Sequence, residues 1–267
     1  MLPNNLLIAV TFFYKESRLD TLSRTIKNFA NLGNDVDVFI FTNTSSKAEH
    51  DNIYSLFPSH IKPTICVPNF LGHPFLLTWC HLSIFREKLN NRDEITHFMY
   101  IEDDIEVKKE NIEYWMEGRI FLDEFDMYPS FLRYEIKDKT SELVSVDVTE
   151  PQQYASLPKV FGGDGAVYLN IHYPYQGMYL LDRRLMTEHL EGISSNPDFG
   201  KWSIREKSAQ GLTFANVRNG FWSRNCLKFN PIKMTIEKNA LVRHLTNNYT
   251  PDPSSPFGKI NIDNLII

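Results

Sequence analysis

Cysteine is scarce and scattered: Cys66, Cys80 and Cys226 are the three thiols among 267 residues. That spacing argues against a disulfide framework or a zinc knuckle and fits reduced side chains in a cytoplasmic compartment. Positive charge is also short. The 28 Lys and Arg residues stand against 33 Asp and Glu, a net charge of -5, so no overall basic field is available to hold nucleic acid or an anionic bilayer. No helix-turn-helix or zinc-finger pattern occurs either. The apolar run at residues 6–13 is too brief to span a membrane, and residues 1–5 lack the basic start of a leader. No integral anchor is expected, and any membrane contact would be peripheral. From Thr11 to Arg18 there is no glycine, which excludes a glycine-rich phosphate loop there. The 12 glycines and 14 prolines are dispersed, with no repeat and no low-complexity tract, as in ordinary globular chains.

What is present reads as an α/β chain with one continuous core. The run Leu6-Leu7-Ile8-Ala9-Val10 has the unbroken apolar pattern of a parallel strand covered on both faces. Ser17 is placed to cap a helix carrying Leu19, Leu22, Ile26 and Phe29, and Gly33 to close it. Strands are expected at residues 36–41, 64–67 and 98–101, with a polar helix after Thr44 and a longer helix over residues 73–89. Four strands alternating with three helices imply an open, mainly parallel, Rossmann-like sheet. Beyond residue 105 the pattern is mixed. It predicts helices at 111–125, 183–190 and near Ser203, strand-like segments at 131–136, 144–148 and 214–217, and a tail at 251–267 that wraps the surface.

Glu102-Asp103-Asp104 follows the fourth strand directly, at the sheet edge where open α/β folds bind ligands. Adjacent carboxylates repel, and a divalent cation with a preference for oxygen ligands relieves that repulsion while neutralising a diphosphate. A solvated acidic turn is the alternative reading.

The segment Tyr100-Ile101-Glu102-Asp103-Asp104-Ile105-Glu106-Val107, with Ile112-Glu113-Tyr114-Trp115 after it, resembles the metal-binding segment of GT-A glycosyltransferases. The resemblance is to the N-acetylglucosaminyltransferase-type enzymes with a Glu-Asp-Asp motif. His73-Pro74-Phe75 with Trp79 upstream and Tyr173-Pro174-Tyr175-Gln176-Gly177-Met178-Tyr179 downstream share it in order and spacing, over residues 6–220. The resemblance implies a single GT-A-like domain: a nucleotide-sugar half at 1–107, an acceptor half at 108–250 and the tail. It implies transfer of a sugar, by inversion, from a nucleoside-diphosphate sugar, with UDP favoured, to a saccharide or glycolipid acceptor. Mn²⁺ or Mg²⁺ would be the cofactor.

Carried over by position, Asp104 would ligate the metal, with Glu102 and Asp103 serving the ribose or the metal's water shell. Thr11, Tyr14, Lys15, Thr42 and Asn43 would line the base and diphosphate, and His73 would lie near the nucleotide. Lys15 reads equally as an exposed lysine at a helix start, and His73 as a helix cap. Glu206, in Trp202-Ser203-Ile204-Arg205-Glu206, would be the base that takes the acceptor proton, although an acidic residue there also suits a helix N-terminus. Asp198 is the second choice, in a sequence that reads as a turn. His244, late in the chain, would complete the metal site as Glu102 does, or is a structural histidine. Tyr173, Tyr175, Tyr179, Trp202, Phe221 and Trp222 are candidates for stacking on sugars or for the core. Three rival readings are a retaining glycosyltransferase, a metal-dependent nucleotidyltransferase and a non-catalytic carbohydrate-binding protein.

Overall fold

The first apolar run becomes β1 (Asn5–Phe12) in a computed structural model, which describes residues 1–137, 140–162, 165–172 and 174–267. Leu6 through Val10 and Phe12 are at most 1% exposed, the two-sided burial of a central parallel strand. Each of these side chains other than Ala9 contributes roughly 1.5–3 kcal/mol relative to exposure. After β1 come α1 (Leu19–Ile26), β2 (Asp35–Thr42), α2 (Lys47–Ser55), β3 (Thr64–Cys66), α3 (His81–Asn91), β4 (His97–Glu102) and β5 (Ile105–Glu106). Next are α4 (Lys109–Leu122), β6 (Tyr128–Pro129), β7 (Leu132–Lys137), β8 (Glu142–Ser145), β9 (Lys159–Phe161) and β10 (Val167–Leu169). Then follow β11 (Met178–Asp182), α5 (Arg183–Glu191), α6 (Ile204–Lys207), β12 (Asn225–Asn230), β13 (Thr235–Ile236), β14 (Leu241–His244) and β15 (Ile260–Asn261).

The chain divides into two compact units. The first joins Leu2–Lys108 to Gly177–Leu212; the second holds Met1, Lys109–Gln176 and Thr213–Ile267. In the first unit the strand order is β11-β4-β1-β2-β3, parallel from β4 to β3, with β11 antiparallel on β4. This is an α/β arrangement on one mainly parallel sheet. The segment expected in the acceptor half at 177–212 thus returns to the first sheet. Its apolar run explains why: Met178 through Leu181 are at most 3% exposed and cover the otherwise open flank of β4.

The helix predicted at 73–89 is two pieces, a 3-10 turn at Pro74–Trp79 and then α3. Side chains take carbonyls that a continuous helix would use: Thr78 Oγ1 donates to Phe75 O at 2.8 Å, and His81 Nδ1 bonds Thr78 O at 2.7 Å. Ser17 caps no helix. It lies inside a 3-10 turn, Glu16–Arg18, and α1 ends at Ile26, well before Gly33.

The second unit carries two further sets of strands, β13-β12-β10-β9 with β6 beside β12, and β15-β8-β7-β14. Leu122, Met127, Val160, Tyr168 and Cys226 pack into an apolar cluster. Residues 214–217, expected as a strand, form none: Phe214 to Asn216 make a turn and bends, with Asn216 at a φ of 51°. The tail does more than wrap a surface: β15 pairs with β8, and Ile262, Leu265 and Ile266 are buried. Among the described residues no helix is long and apolar enough to cross a membrane.

Candidate functional site

Parallel alignment brings the carboxyl ends of β4, β1 and β2 to one edge of the sheet. Thr11 lies in register with Glu102 on one side and Phe41 on the other. The chain then turns through Asp103 and Asp104 into β5, and α1 and the residues just after it hold that segment. Thr25 Oγ1 donates to Asp103 O at 2.8 Å, and Asn28 Nδ2 donates to Val107 O at 3.0 Å. Glu102 N donates to Gly177 O at 3.0 Å, so β11 steadies the same corner.

The two aspartate side chains are only 12% and 14% exposed. Arg18 meets both. Its Nε and Nη2 donate to Asp103 Oδ2 and Oδ1 at 2.9 and 2.7 Å, and Nη2 also reaches Asp104 Oδ2 at 3.3 Å. Burial, and then the Asp104 charge, push the Asp103 carboxyl up to about 7 even though Arg18 pulls the other way. Burial works against the Arg18 charge too, but the two carboxylates outweigh it and hold the guanidinium above its usual value.

Sequence reading assigned the basic role to Lys15, which is exposed. The turn Glu16–Arg18, closed by Arg18 N donating to Lys15 O at 2.9 Å, brings Arg18 to the acidic pair instead. A signal existed in the three-residue offset from Lys15, but it is readable only once a 3-10 turn replaces the expected helix start.

Along the same edge, Thr11 and Thr42 are buried at the ends of β1 and β2. Tyr14 N donates to Asn43 Oδ1 at 2.6 Å, and Asn52 Nδ2 of α2 donates to the Tyr14 hydroxyl at 3.0 Å. Tyr14 and Asn43 are therefore brought together, with Asn52 as a partner that the sequence did not single out. His73 is exposed and caps the turn Pro74–Trp79, its Nδ1 accepting from Phe75 N at 3.2 Å.

Glu206 lies on α6, which is tied to the rest of the unit at two points. Trp79 Nε1 donates to Ile204 O at 2.7 Å, and Ser208 Oγ bonds the Tyr100 hydroxyl at 3.4 Å, two residues before Glu102. The Glu206 carboxylate accepts from Ser203 Oγ and from Arg205, Nη2 at 2.6 Å and Nε at 3.0 Å. Ser203 is the N-cap residue of α6, but its side chain makes no capping hydrogen bond to the backbone and meets the Glu206 carboxylate instead. Asp198 sits in the turn expected of it, its N–H donating to Asn196 Oδ1 at 2.9 Å.

Two buried histidines, His81 and His189, lie against the Tyr179 ring of β11. His81 donates from Nδ1 to the Thr78 carbonyl, so its Nε2 accepts from the Tyr179 hydroxyl at 2.6 Å. Burial lowers both His81 and His189 to about 3, which keeps them neutral. Tyr179 is core, whereas Trp202 and Trp222 are 37% and 38% exposed. Trp202 adopts a φ of 72°. Phe221 packs partly buried against the second unit's apolar cluster, and Tyr175 faces the Arg133 guanidinium at 4.6 Å. Tyr173 lies outside the described residues.

His244 belongs to the second unit, at the end of β14. It is 4% exposed, and its Nδ1 lies 2.7 Å from Glu135 Oε1. Glu135, fully buried, also accepts from Tyr249 N at 3.2 Å and from Thr250 N and Oγ1 at 2.7 and 2.6 Å. The Tyr249 ring stacks on the imidazole at 5.3 Å. Among the described residues, no three His, Cys, Asp or Glu side chains are gathered to hold a metal ion by themselves. A cation at Asp104 would thus draw most of its ligands from phosphate oxygens and water, as Mg²⁺ commonly does. No family model matches the chain, and no curated protein matches it either.

Proposed function

We propose that the chain is a metal-dependent glycosyltransferase of GT-A type that moves a sugar from a nucleoside-diphosphate sugar to a saccharide hydroxyl. The observation that carries this reading is the largely enclosed Asp103–Asp104 pair at the carboxyl edge of a parallel sheet, with Thr11 in register with Glu102 and the Tyr14–Asn43 contact at the ends of β1 and β2. The donor set is all oxygen, which fits Mn²⁺ or Mg²⁺ rather than a softer ion. Asp104, with Glu102 beside it, would hold the cation. When bound, it supplies charge neutralisation for the departing diphosphate.

The chain's own residues do the rest. Tyr14, Asn43 and Asn52 bind and orient the nucleotide at the strand ends. Glu206 takes the acceptor proton as the hydroxyl attacks, which requires the incoming hydroxyl to displace its contacts with Ser203 or Arg205. Those contacts also favour a second reading, a retaining enzyme in which Glu206 only positions the acceptor. The anomeric configuration of the product separates the two.

A thermal-shift panel of UDP, GDP, dTDP, ADP and CMP, each with Mn²⁺, Mg²⁺ or EDTA, tests the donor site. A ligand that binds the folded state alone raises the melting temperature. A metal-dependent shift with one nucleoside diphosphate, lost in Asp104→Ala, is expected. No shift with any of them would overturn the reading.

A further inference from the structure

One guanidinium reaches both aspartates of the turn, both oxygens of Asp103 and one of Asp104. Arg18 forks onto Asp103 through Nε and Nη2 at 2.9 and 2.7 Å, and Nη2 continues to Asp104 Oδ2 at 3.3 Å. A carboxylate oxygen that faces an N–H donor directs its lone pair there and does not offer the same lone pair to a metal ion. The positive charge beside the pair also repels a second cation. Arg18 is anchored at its backbone by the turn Glu16–Arg18, but its side chain is 35% exposed, so the guanidinium can withdraw toward solvent without any change in the strands.

We propose that Arg18 is an internal counter-ion that closes the acidic pair, that it must withdraw from Asp104 for a divalent cation to bind, and that a nucleoside diphosphate supplies its alternative partner. This rests on the donor-site reading above and goes beyond it by coupling the two ligands. A guanidinium fork suits a phosphate as well as a carboxylate. Cation and diphosphate each favour the arrangement in which Arg18 has moved, so each raises the other's affinity by the same factor. The cation alone has to compete with Arg18. The diphosphate alone would draw Arg18 away from two carboxylates with nothing left to neutralise them.

The test is direct titration of Mn²⁺ into the full chain in mildly alkaline buffer, with and without UDP, reading free Mn²⁺ by electron paramagnetic resonance. Wild type is compared with Arg18→Gln, Arg18→Lys and the site control Asp104→Asn. Arg18→Gln is expected to bind Mn²⁺ alone at least about five-fold more tightly than wild type, and UDP to add correspondingly less. Arg18→Lys should fall between, because an ammonium holds one carboxylate rather than forking across two, and it carries the test if the glutamine variant does not fold. Unchanged or weaker Mn²⁺ binding in both variants, with wild-type binding still enhanced by UDP and lost in Asp104→Asn, overturns this inference and leaves the donor site standing. Mn²⁺ binding that is absent from wild type with every nucleoside diphosphate, or indifferent to Asp104→Asn, overturns both.

Discussion

Asp103 titrates near neutrality because burial and the adjacent Asp104 charge oppose its ionisation more than Arg18 favours it. The folded chain therefore keeps a proton that the unfolded chain releases, so this group's contribution to stability falls as pH rises from the ordinary carboxylate range through about 7. In Asp103→Asn that slope should disappear, which urea melts of both proteins at pH 5 and pH 8 would show; equal slopes would count against it. Glu135 behaves in the opposite sense. Burial alone would raise it, but hydrogen bonds from His244, Thr250 and Tyr249 outweigh burial and hold it below its usual value. Its stabilisation is present above the ordinary carboxylate range and is lost as pH falls below it. Glu135→Gln, which cannot accept all of these bonds, should cost about 1–3 kcal/mol in denaturant unfolding near neutral pH. For Glu206→Gln the expected outcome is a loss of about 10²–10⁴ in kcat with donor binding preserved, and an active variant would remove Glu206 from the base role. The acidic triplet was legible in the sequence because a strand and a run of carboxylates are both local patterns. Arg18 was not, since its place at the pair depends on a turn whose geometry no periodicity records. Nor was the Glu135–His244 contact, which joins residues over a hundred positions apart.

Among the elements, the apolar runs of β1, β2 and β4 and the presence of helices between them could be read because each is a local pattern. β9, β10 and β13 are two or three residues long and carry no period of their own. They exist through pairing: β9 with β10 and β13 with β12 close by in the chain, and β10 with the distant β12. The helix at 73–89 failed as one piece because Thr78 and His81 divert its carbonyls, an effect of side-chain hydrogen bonding rather than of apolar spacing. Gly118 tests the packing of α4. Alanine in a helix interior is normally better than glycine by about 1 kcal/mol. Here an added Cβ would lie 2.6 Å from Pro129 Cγ and 3.3 Å from the Tyr168 ring, and overpacking of this kind costs about 1–3 kcal/mol. Gly118→Ala should therefore lower the melting temperature, and a rise would show that Pro129 yields.

At the scale of the whole molecule, the order of segments matters more than their content. The alternation over residues 1–107 was visible, but the return of 177–212 to the first sheet was not, because strand partners far apart in sequence leave no mark on either stretch. A fragment ending at Lys108 lacks β11, and β4, whose residues 98–101 are fully buried in the intact chain, becomes a bare edge. Such a fragment should aggregate or fail to unfold cooperatively. Joining it to Gly177–Leu212 through a flexible linker should restore a cooperative melt, and a cooperative melt in the short fragment alone would contradict this view of β11. The same interruption has a consequence during synthesis. At about 5–20 residues per second, roughly 4 to 15 seconds separate the emergence of β4 from that of the strand that covers it. Over that interval the nascent chain presents an apolar ribbon at the ribosome exit, a natural client for a holding chaperone.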